Sequence, residues 1–324
     1  MILADFLPAQ PDLLWQRALQ AGVTHAIVKL HPDLTGEAPP WDRDVLHRAQ
    51  ARFAAAGLRL IGLEGDQFDM TRIKEGQAGR DEDLERYRRM LGNMGELGIP
   101  LLCYNFMARI GWFRTSVTVA ERGGAQVSAF SSGAALRLPP LPGAPLCEEQ
   151  LWDHYGYFLH AVLPAAERAG VRLGLHPDDP PVSPLRGVPR ILRSGGAMER
   201  ALSLSASPSH GLTFCQGTFV AMGEDPAELA RRFAERGRIV LVHFRDVRAT
   251  ADGFCETFHD NGPTDMAAML RLYRDLGPDV PIRVDHVPTL AGEANAEPGY
   301  ASLGRLFALG YLKGLCEAQG IALT

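Results

Sequence analysis

No apolar run in the chain approaches the roughly 20 residues that cross a bilayer, so no transmembrane helix is expected. The start, MILADFLPAQPDLLWQ, lacks a basic stretch followed by a long apolar core, and no secretory leader is expected. Cysteine is sparse: five residues, at 103, 147, 215, 255 and 316, with no close pair. That spacing argues against a disulfide framework and for a reducing, cytoplasmic setting. Positive charge is not in excess. A formal net charge of -5 and an isoelectric point near 6.1 exclude a general nucleic-acid binder. There is no internal repeat, and no GxGxxG follows the first apolar run.

What is present is ordinary in bulk: 324 residues, 46% hydrophobic and 22% charged, values that suit a globular fold. Eight short aliphatic or β-branched runs read as strands: Met1–Ala4, Thr24–Lys29, Leu58–Leu63, Ile99–Cys103, Val171–Leu175, Gly211–Phe214, Ile239–Val242 and Pro281–Val284. Helical patterns lie between them at Asp42–Ala56, Asp81–Leu97, Glu148–Ala169, Asp225–Arg236 and Pro263–Leu276, each followed by a glycine suited to a C-cap. The repeated order of helix, glycine and apolar strand predicts an α/β protein with a parallel sheet. Eight units predict one closed (β/α)8 TIM barrel over residues 1–324, with an open doubly wound sheet as the runner-up. The segment 116–147 breaks this rhythm with Gly, Ala, Ser and Pro around an alternating TSVTVAE run. It is expected to be a loop or hairpin inserted on the active-site rim, covering the site or building an oligomer contact. Residues 185–207 form a second irregular stretch.

Four metal-ligand types fall at one point of successive units: His176 after VRLGL, Cys215 after GLTF, His243 after IVLV and Asp285 after PIRV. The gaps of 39, 28 and 42 residues each match one strand-plus-helix unit. In a barrel these positions meet on the C-terminal rim, where βα loops carry the chemistry. Taken singly each is weak, since a lone cysteine is more often a small buried apolar residue. Jointly, two imidazoles, a thiolate and a carboxylate make a divalent transition-metal site. An octahedral Mn(II) or Fe(II) would keep two positions for the oxygens of a chelating hydroxy acid; Co(II), Ni(II) and Zn(II) stay open. His286 and Tyr300 stand near the same rim, and either can serve as general acid or base. Arg114 and Arg245 are candidates to clamp a carboxylate. Asn105, His259, Asp260 and His31 are candidates to bind substrate hydroxyls, with Asn261 capping the helix that follows. The histidines at 25, 47, 154, 160 and 210 read as structural or solvated.

These residues sit in stretches that are recognisable together. CYNFM (103–107), WFRT (112–115), LHPDDPP (175–181), FCQG (214–217), VHFRD (242–246), the FHD loop, DH (285–286) and PGYA…GRLFALGYLKGL (298–315) resemble the D-mannonate dehydratase family in order and spacing. The resemblance runs from about the third strand to the C-terminus. It implies a xylose-isomerase-like TIM barrel, a divalent metal that is usually manganese, and dehydration of D-mannonate to 2-keto-3-deoxy-D-gluconate in hexuronate catabolism. It carries the family's ligands onto His176, Cys215, His243 and Asp285, and its acid/base pair onto His286 and Tyr300. A homo-oligomer, dimer or higher, is implied as well.

The chain also departs from that pattern. Where better-known members read NFMPVLDWTRT, this chain has Gly111 before the tryptophan and Phe113 after it; LEGDQFDM (63–70) replaces a VPVHE-like stretch, and FHDNGPTDM (258–266) is more compact than the family's acid loop. The metal-binding half is therefore matched more closely than the substrate-contacting first half. A dehydratase of another aldonic acid, or a sugar isomerase or epimerase on the same barrel, are the alternatives. Isomerases typically surround their metal with carboxylates, and Glu64 is the one glutamate near a predicted strand end. A non-catalytic sugar-acid sensor would be expected to lose ligands or acid/base residues, and this chain keeps all six.

Overall fold

A computed structural model describes residues 1–277 and 279–324. In chain order its strands are β1 (Ile2–Phe6), β2 (His25–Val28), β3 (Arg59–Glu64), β4 (Leu101–Tyr104), β5 (Ser116–Ala120), β6 (Gln126–Ser131), β7 (Arg172–Leu175), β8 (His210–Cys215), β9 (Ile239–Phe244), β10 (Val247–Thr250), β11 (Gly253–Glu256) and β12 (Pro281–Val284). The eight runs expected from sequence all become parallel strands of one closed barrel, in the order β1-β12-β9-β8-β7-β4-β3-β2. An open sheet is thereby set aside. Packing inside the barrel is tight enough to dictate residue type. A Cβ on Gly174 of β7 would stand 2.6 Å from Oγ1 of Thr213 on β8, so only glycine lets the two strands approach. A small buried cluster that includes Ala4, Ile27, Ile61, Leu101 and Leu241 is separate from the larger apolar layer joining strands to helices.

The helices follow the capping signals. Glu148–Ala169 ends at Gly170 with φ 65°, the left-handed C-cap its glycine allows. Pro226–Ala234 starts behind Asp225, whose side chain accepts from the N–H groups of Ala227 and Glu228. One cap differs from expectation. The helix expected at 263–276 spans Met266–Arg274, and Asp265, not Asn261, caps it. Asn261 instead donates to Oε1 of Glu121.

The segment 116–147 supplies β5, β6 and a short helix at Ser132–Leu136. Its two strands join a hairpin that sequence reading missed, β10 and β11, in an antiparallel sheet of order β10-β11-β6-β5. The overlooked signal was Asp252-Gly253 between two short alternating runs. The irregular 185–207 stretch holds one helix, Gly195–Ser203, capped by Ser194. Among the described residues, no helix is long and apolar enough to cross a membrane.

Candidate active site and metal centre

Strand geometry brings the expected ligands together. His176 follows the last residue of β7, Cys215 ends β8, His243 lies on β9 and Asp285 follows β12. Ligand atoms of His176, Cys215 and His243 all lie within 4.8 Å of one another. Oδ2 of Asp285 is 3.9 Å from Sγ of Cys215 and 3.7 Å from Nδ1 of His243. Nδ1 of His176 donates to the carbonyl of Pro177 at 2.7 Å, which leaves the Nε2 lone pair free for a cation. Nε2 of His243 is buried and makes no well-aligned hydrogen bond; Oε2 of Glu64 stands 3.4 Å from it, a nitrogen and a carboxylate that a cation could share.

The charges around this cluster favour a cation. Burial alone would raise the pKa of Glu64, Asp179, Cys215, Glu256 and Asp285. Nearby guanidinium and imidazole groups outweigh that effect and hold all five below their ordinary values, Glu64 and Glu256 at about 2. The Cys215 thiol is pulled down chiefly by Arg245 and His176, so it is a thiolate. Five anionic groups against the guanidinium groups of Arg114, Arg245 and Arg283 leave two negative charges, which suits a divalent ion. Burial opposes the charge on His176, but the Cys215 thiolate beside it raises its pKa to about 9. A metal taking that place displaces the proton.

His286 and Tyr300 stand next to the cluster, their rings 5.6 Å apart at 88°. His286 has φ 34°, and Gly299 packs against its ring where a Cβ would come within 3.2 Å. Its Nδ1 is 3.0 Å from Oε1 of Glu256. The Tyr300 hydroxyl donates to Oδ1 of Asp285 at 3.3 Å. Burial, then the Asp285 charge, push the Tyr300 phenol above its ordinary pKa, so it keeps its proton. The helix Ser302–Ala318 sets Tyr300 in place: Nη1 of Arg305 donates to Oδ1 of Asp5 and to the Phe6 carbonyl on β1, at 2.5 and 2.7 Å.

Both histidine and tyrosine line a cavity of about 210 Å³, together with Glu64, Cys103, Asn105, Trp112, His176, Asp179, His243, Arg283 and Asp285. Outside it lies a vestibule of about 1040 Å³. The two expected carboxylate clamps do not line either space. Arg114 donates to both oxygens of Asp179, at 2.5 and 3.0 Å, and to Glu256 at 2.6 Å. Arg245 donates to Glu256 and Asp179, each at 2.6 Å, and its Nε is 3.3 Å from Sγ of Cys215. The terminal nitrogens of both are engaged by buried acids, and Nε of Arg245 faces the Cys215 sulfur.

Three residues not singled out from sequence complete the site, Arg283 and Asp179 on the cavity wall and Glu256 behind it. Arg283 of β12 donates twice to Glu64, at 3.1 and 2.5 Å, and to Oδ1 of Asp285 at 2.9 Å. Asp179 and Glu256 hold the arginine pair. Asn105 lines the cavity as expected. His31 lies only on the vestibule wall, where its ring accepts from the Asp33 N–H at the start of Pro32–Thr35. His259 and Asp260 lie away from both spaces. Nε2 of His259 donates to the Phe244 carbonyl at 2.7 Å, and Asp260 pairs with both terminal nitrogens of Arg122.

Comparison with known proteins agrees with this geometry. The D-mannonate dehydratase family model matches residues 10–135 and 145–322. Mannonate dehydratase 2 of Halalkalibacterium halodurans is 35% identical over 273 residues, covering 76% of this chain and 79% of its own. The mannonate dehydratase of Streptococcus equi subsp. zooepidemicus is 33% identical over 306 residues, covering 86% and 84%. The crystal structure of mannonate dehydratase from Streptococcus suis serotype 2 superposes with a TM-score of 0.91 at 29% identity, over 100% of this chain and 97% of that one. A 3-keto-D-glucoside 4-epimerase from E. coli shares the fold alone, with a TM-score of 0.62 at 14% identity over 97% and 99%. The chain belongs to the D-mannonate dehydratase family of hydro-lyases.

Proposed function

We propose that this enzyme dehydrates D-mannonate to 2-keto-3-deoxy-D-gluconate with a divalent metal, Mn(II) first among candidates, held by His176, Cys215, His243 and Asp285. The observation that carries the reading is the convergence of that N, N, S, O set at the cavity that His286 and Tyr300 line. When bound, a divalent ion supplies Lewis acidity toward the carboxylate and adjacent hydroxyl of an aldonate, offsetting the charge that develops as C2 is deprotonated.

The chain's own residues divide the proton work. Glu256 holds the proton on Nδ1 of His286, so the Nε2 lone pair is the base that takes the C2 proton. Tyr300, kept protonated by burial and by Asp285, gives its proton to the departing C3 hydroxyl. Deprotonation leaves the C2–H electron pair delocalised into the carboxylate; the pair then forms the C2=C3 bond as C3–O breaks, and water leaves. In the tautomerisation that follows, protonated His286 returns a proton to C3, and the enol hydroxyl reprotonates Tyr300. Both residues end as they began. Arg283 keeps Oδ1 of Asp285 in place throughout.

The reading includes a homo-oligomer in the cytoplasm, checked by light scattering and fractionation. The deciding experiment is metal-stripped protein reloaded with Mn(II) and given a panel of C5 and C6 aldonic acids, with 2-keto-3-deoxy acid scored. Metal-dependent product from D-mannonate supports the proposal. Product only from another aldonate would move the substrate and keep the chemistry. No product from any acid, with metal bound, would overturn it.

A further inference from the structure

Lys74, 2% exposed, ends the short helix Thr71–Lys74 and lines the vestibule but not the inner cavity. Its ammonium donates to Oδ2 of Asp66 at 2.7 Å and to Oδ1 of Asn105 at 2.9 Å. The Met107 N–H donates to the same Oδ1 at 3.1 Å. Both of these partners are donors only, so the atom they share is the carbonyl oxygen and the amide has one orientation. Nδ2 points away from both and makes no hydrogen bond among the described residues. Asn105 lines the inner cavity and the outer vestibule alike, so its free N–H donors stand at the threshold between them. Lys74 itself is matched in charge by Asp66, which suits it to orienting a neighbour more than to attracting an anion.

We propose that Lys74 is a positioning residue that locks the Asn105 amide, so that Nδ2 donates to a substrate hydroxyl beyond C3 and sets the selectivity at C4. This rests on the dehydratase reading above. There the carboxylate end meets the ligand cluster, C2 and C3 lie by His286 and Tyr300, and the rest of the hexonate leaves through the threshold. A donor fixed there reads which side of the carbon chain carries an oxygen. Without Lys74 the Met107 N–H is the one remaining contact on Oδ1, so the amide turns more freely and offers Nδ2 to the substrate for less of the time.

The test compares D-mannonate with its C4 epimer, D-talonate, in the Mn(II)-loaded wild type and in Lys74→Met, Lys74→Arg and Asn105→Asp. Asn105→Asp keeps an acceptor for Lys74 and removes the Nδ2 donors. Any added repulsion acts on both epimers equally, so their ratio isolates the hydroxyl contact. Losing one such hydrogen bond corresponds to about a tenfold change. Lys74→Met and Asn105→Asp are expected to raise KM for D-mannonate by about that factor, with a smaller change in kcat, and to narrow the epimer ratio of kcat/KM. Lys74→Arg, which still donates, is expected to restore most of both. Wild-type turnover with an unchanged epimer ratio in folded Asn105→Asp overturns this inference and leaves the dehydratase reading standing. No wild-type turnover of any aldonate overturns both. Should Lys74→Met fail to fold, the Asn105→Asp ratio decides alone.

Discussion

Nδ1 of His286 and Oε1 of Glu256 stand 3.0 Å apart, joining the loop after β12 to β11 of the appended antiparallel sheet. The same carboxylate oxygen accepts from Arg114 and Arg245, each at 2.6 Å. The His286 ring, the base of the proposed mechanism, is therefore oriented by a group outside the barrel. Glu256→Gln is expected to lower kcat roughly 10- to 100-fold, because an amide can offer its N–H to Nδ1 and favour the wrong tautomer. Metal content should be unchanged. A Glu256→Gln enzyme with normal kcat would remove this carboxylate from the control of His286.

The strands were legible because each barrel unit repeats an apolar run, and the four candidate ligands because each stands at the end of one of the last four runs. The arginine network was not. Arg114 meets Asp179 across 65 residues and Glu256 across 142, pairings that only tertiary structure makes. Arg283 was hidden in the opposite way. It lies inside PIRV, a run that reads as a buried strand, and its charge is tolerated there because Glu64 and Asp285 accept it. His259 and Asp260 stand in the chain beside residues of the recognised loop, but their side chains bond to Phe244 and Arg122 instead.

Arg283 neutralises two buried carboxylates at once. Arg283→Met would leave both without it, a change that costs about 3–5 kcal/mol when one member of a buried pair is lost. Urea denaturation of the metal-free protein should show a loss of that size. A loss within about 1 kcal/mol would mean that His243 and Arg245 compensate the two acids unaided.

Two buried histidines predict an acid-sensitive fold. Burial, aided by Arg238, lowers the pKa of His210 to about 4, and its Nε2 is 3.1 Å from the Tyr155 hydroxyl. Burial likewise lowers His259 to about 4. Both folded values lie below the unfolded value of about 6.5. Between pH 6.5 and 4 the unfolded chain therefore binds protons that the folded chain refuses, and stability falls as pH falls through that window. Each group contributes on the order of 3 kcal/mol to that loss. Denaturant titrations at pH 7 and pH 4.5 measure it, and His210→Asn should lose less over the same interval. Equal losses in the two proteins would show that His210 is already charged when folded.

Cys215 is the ligand most easily distinguished by spectroscopy. Metal-stripped protein reloaded with Co(II) should show a thiolate-to-cobalt charge-transfer band in the near-ultraviolet, since a coordinating thiolate is bound directly to the ion. Cys215→Ser should lose that band and bind the metal more weakly. A band that persists in Cys215→Ser would point to Cys103, which lies with Glu64 and His243 in a second cluster of possible ligand atoms. Burial holds the Cys103 thiol well above its ordinary pKa, and that argues against it as the thiolate.

Tyr300→Phe separates proton donation from metal binding. The substitution removes one hydroxyl that donates to Oδ1 of Asp285, while Arg283 still donates to that oxygen at 2.9 Å. The carboxylate should therefore keep its place and the metal its occupancy. What is lost is the proton for the C3 hydroxyl, and a correctly placed general acid typically contributes about 10²–10⁴ in rate. kcat should fall by that factor with little change in KM. Exchange of the C2 hydrogen with solvent, which needs only His286, should outlast turnover, because deprotonation no longer commits the substrate to elimination. Loss of exchange in step with turnover would give Tyr300 the base role, and normal turnover would remove it from the mechanism.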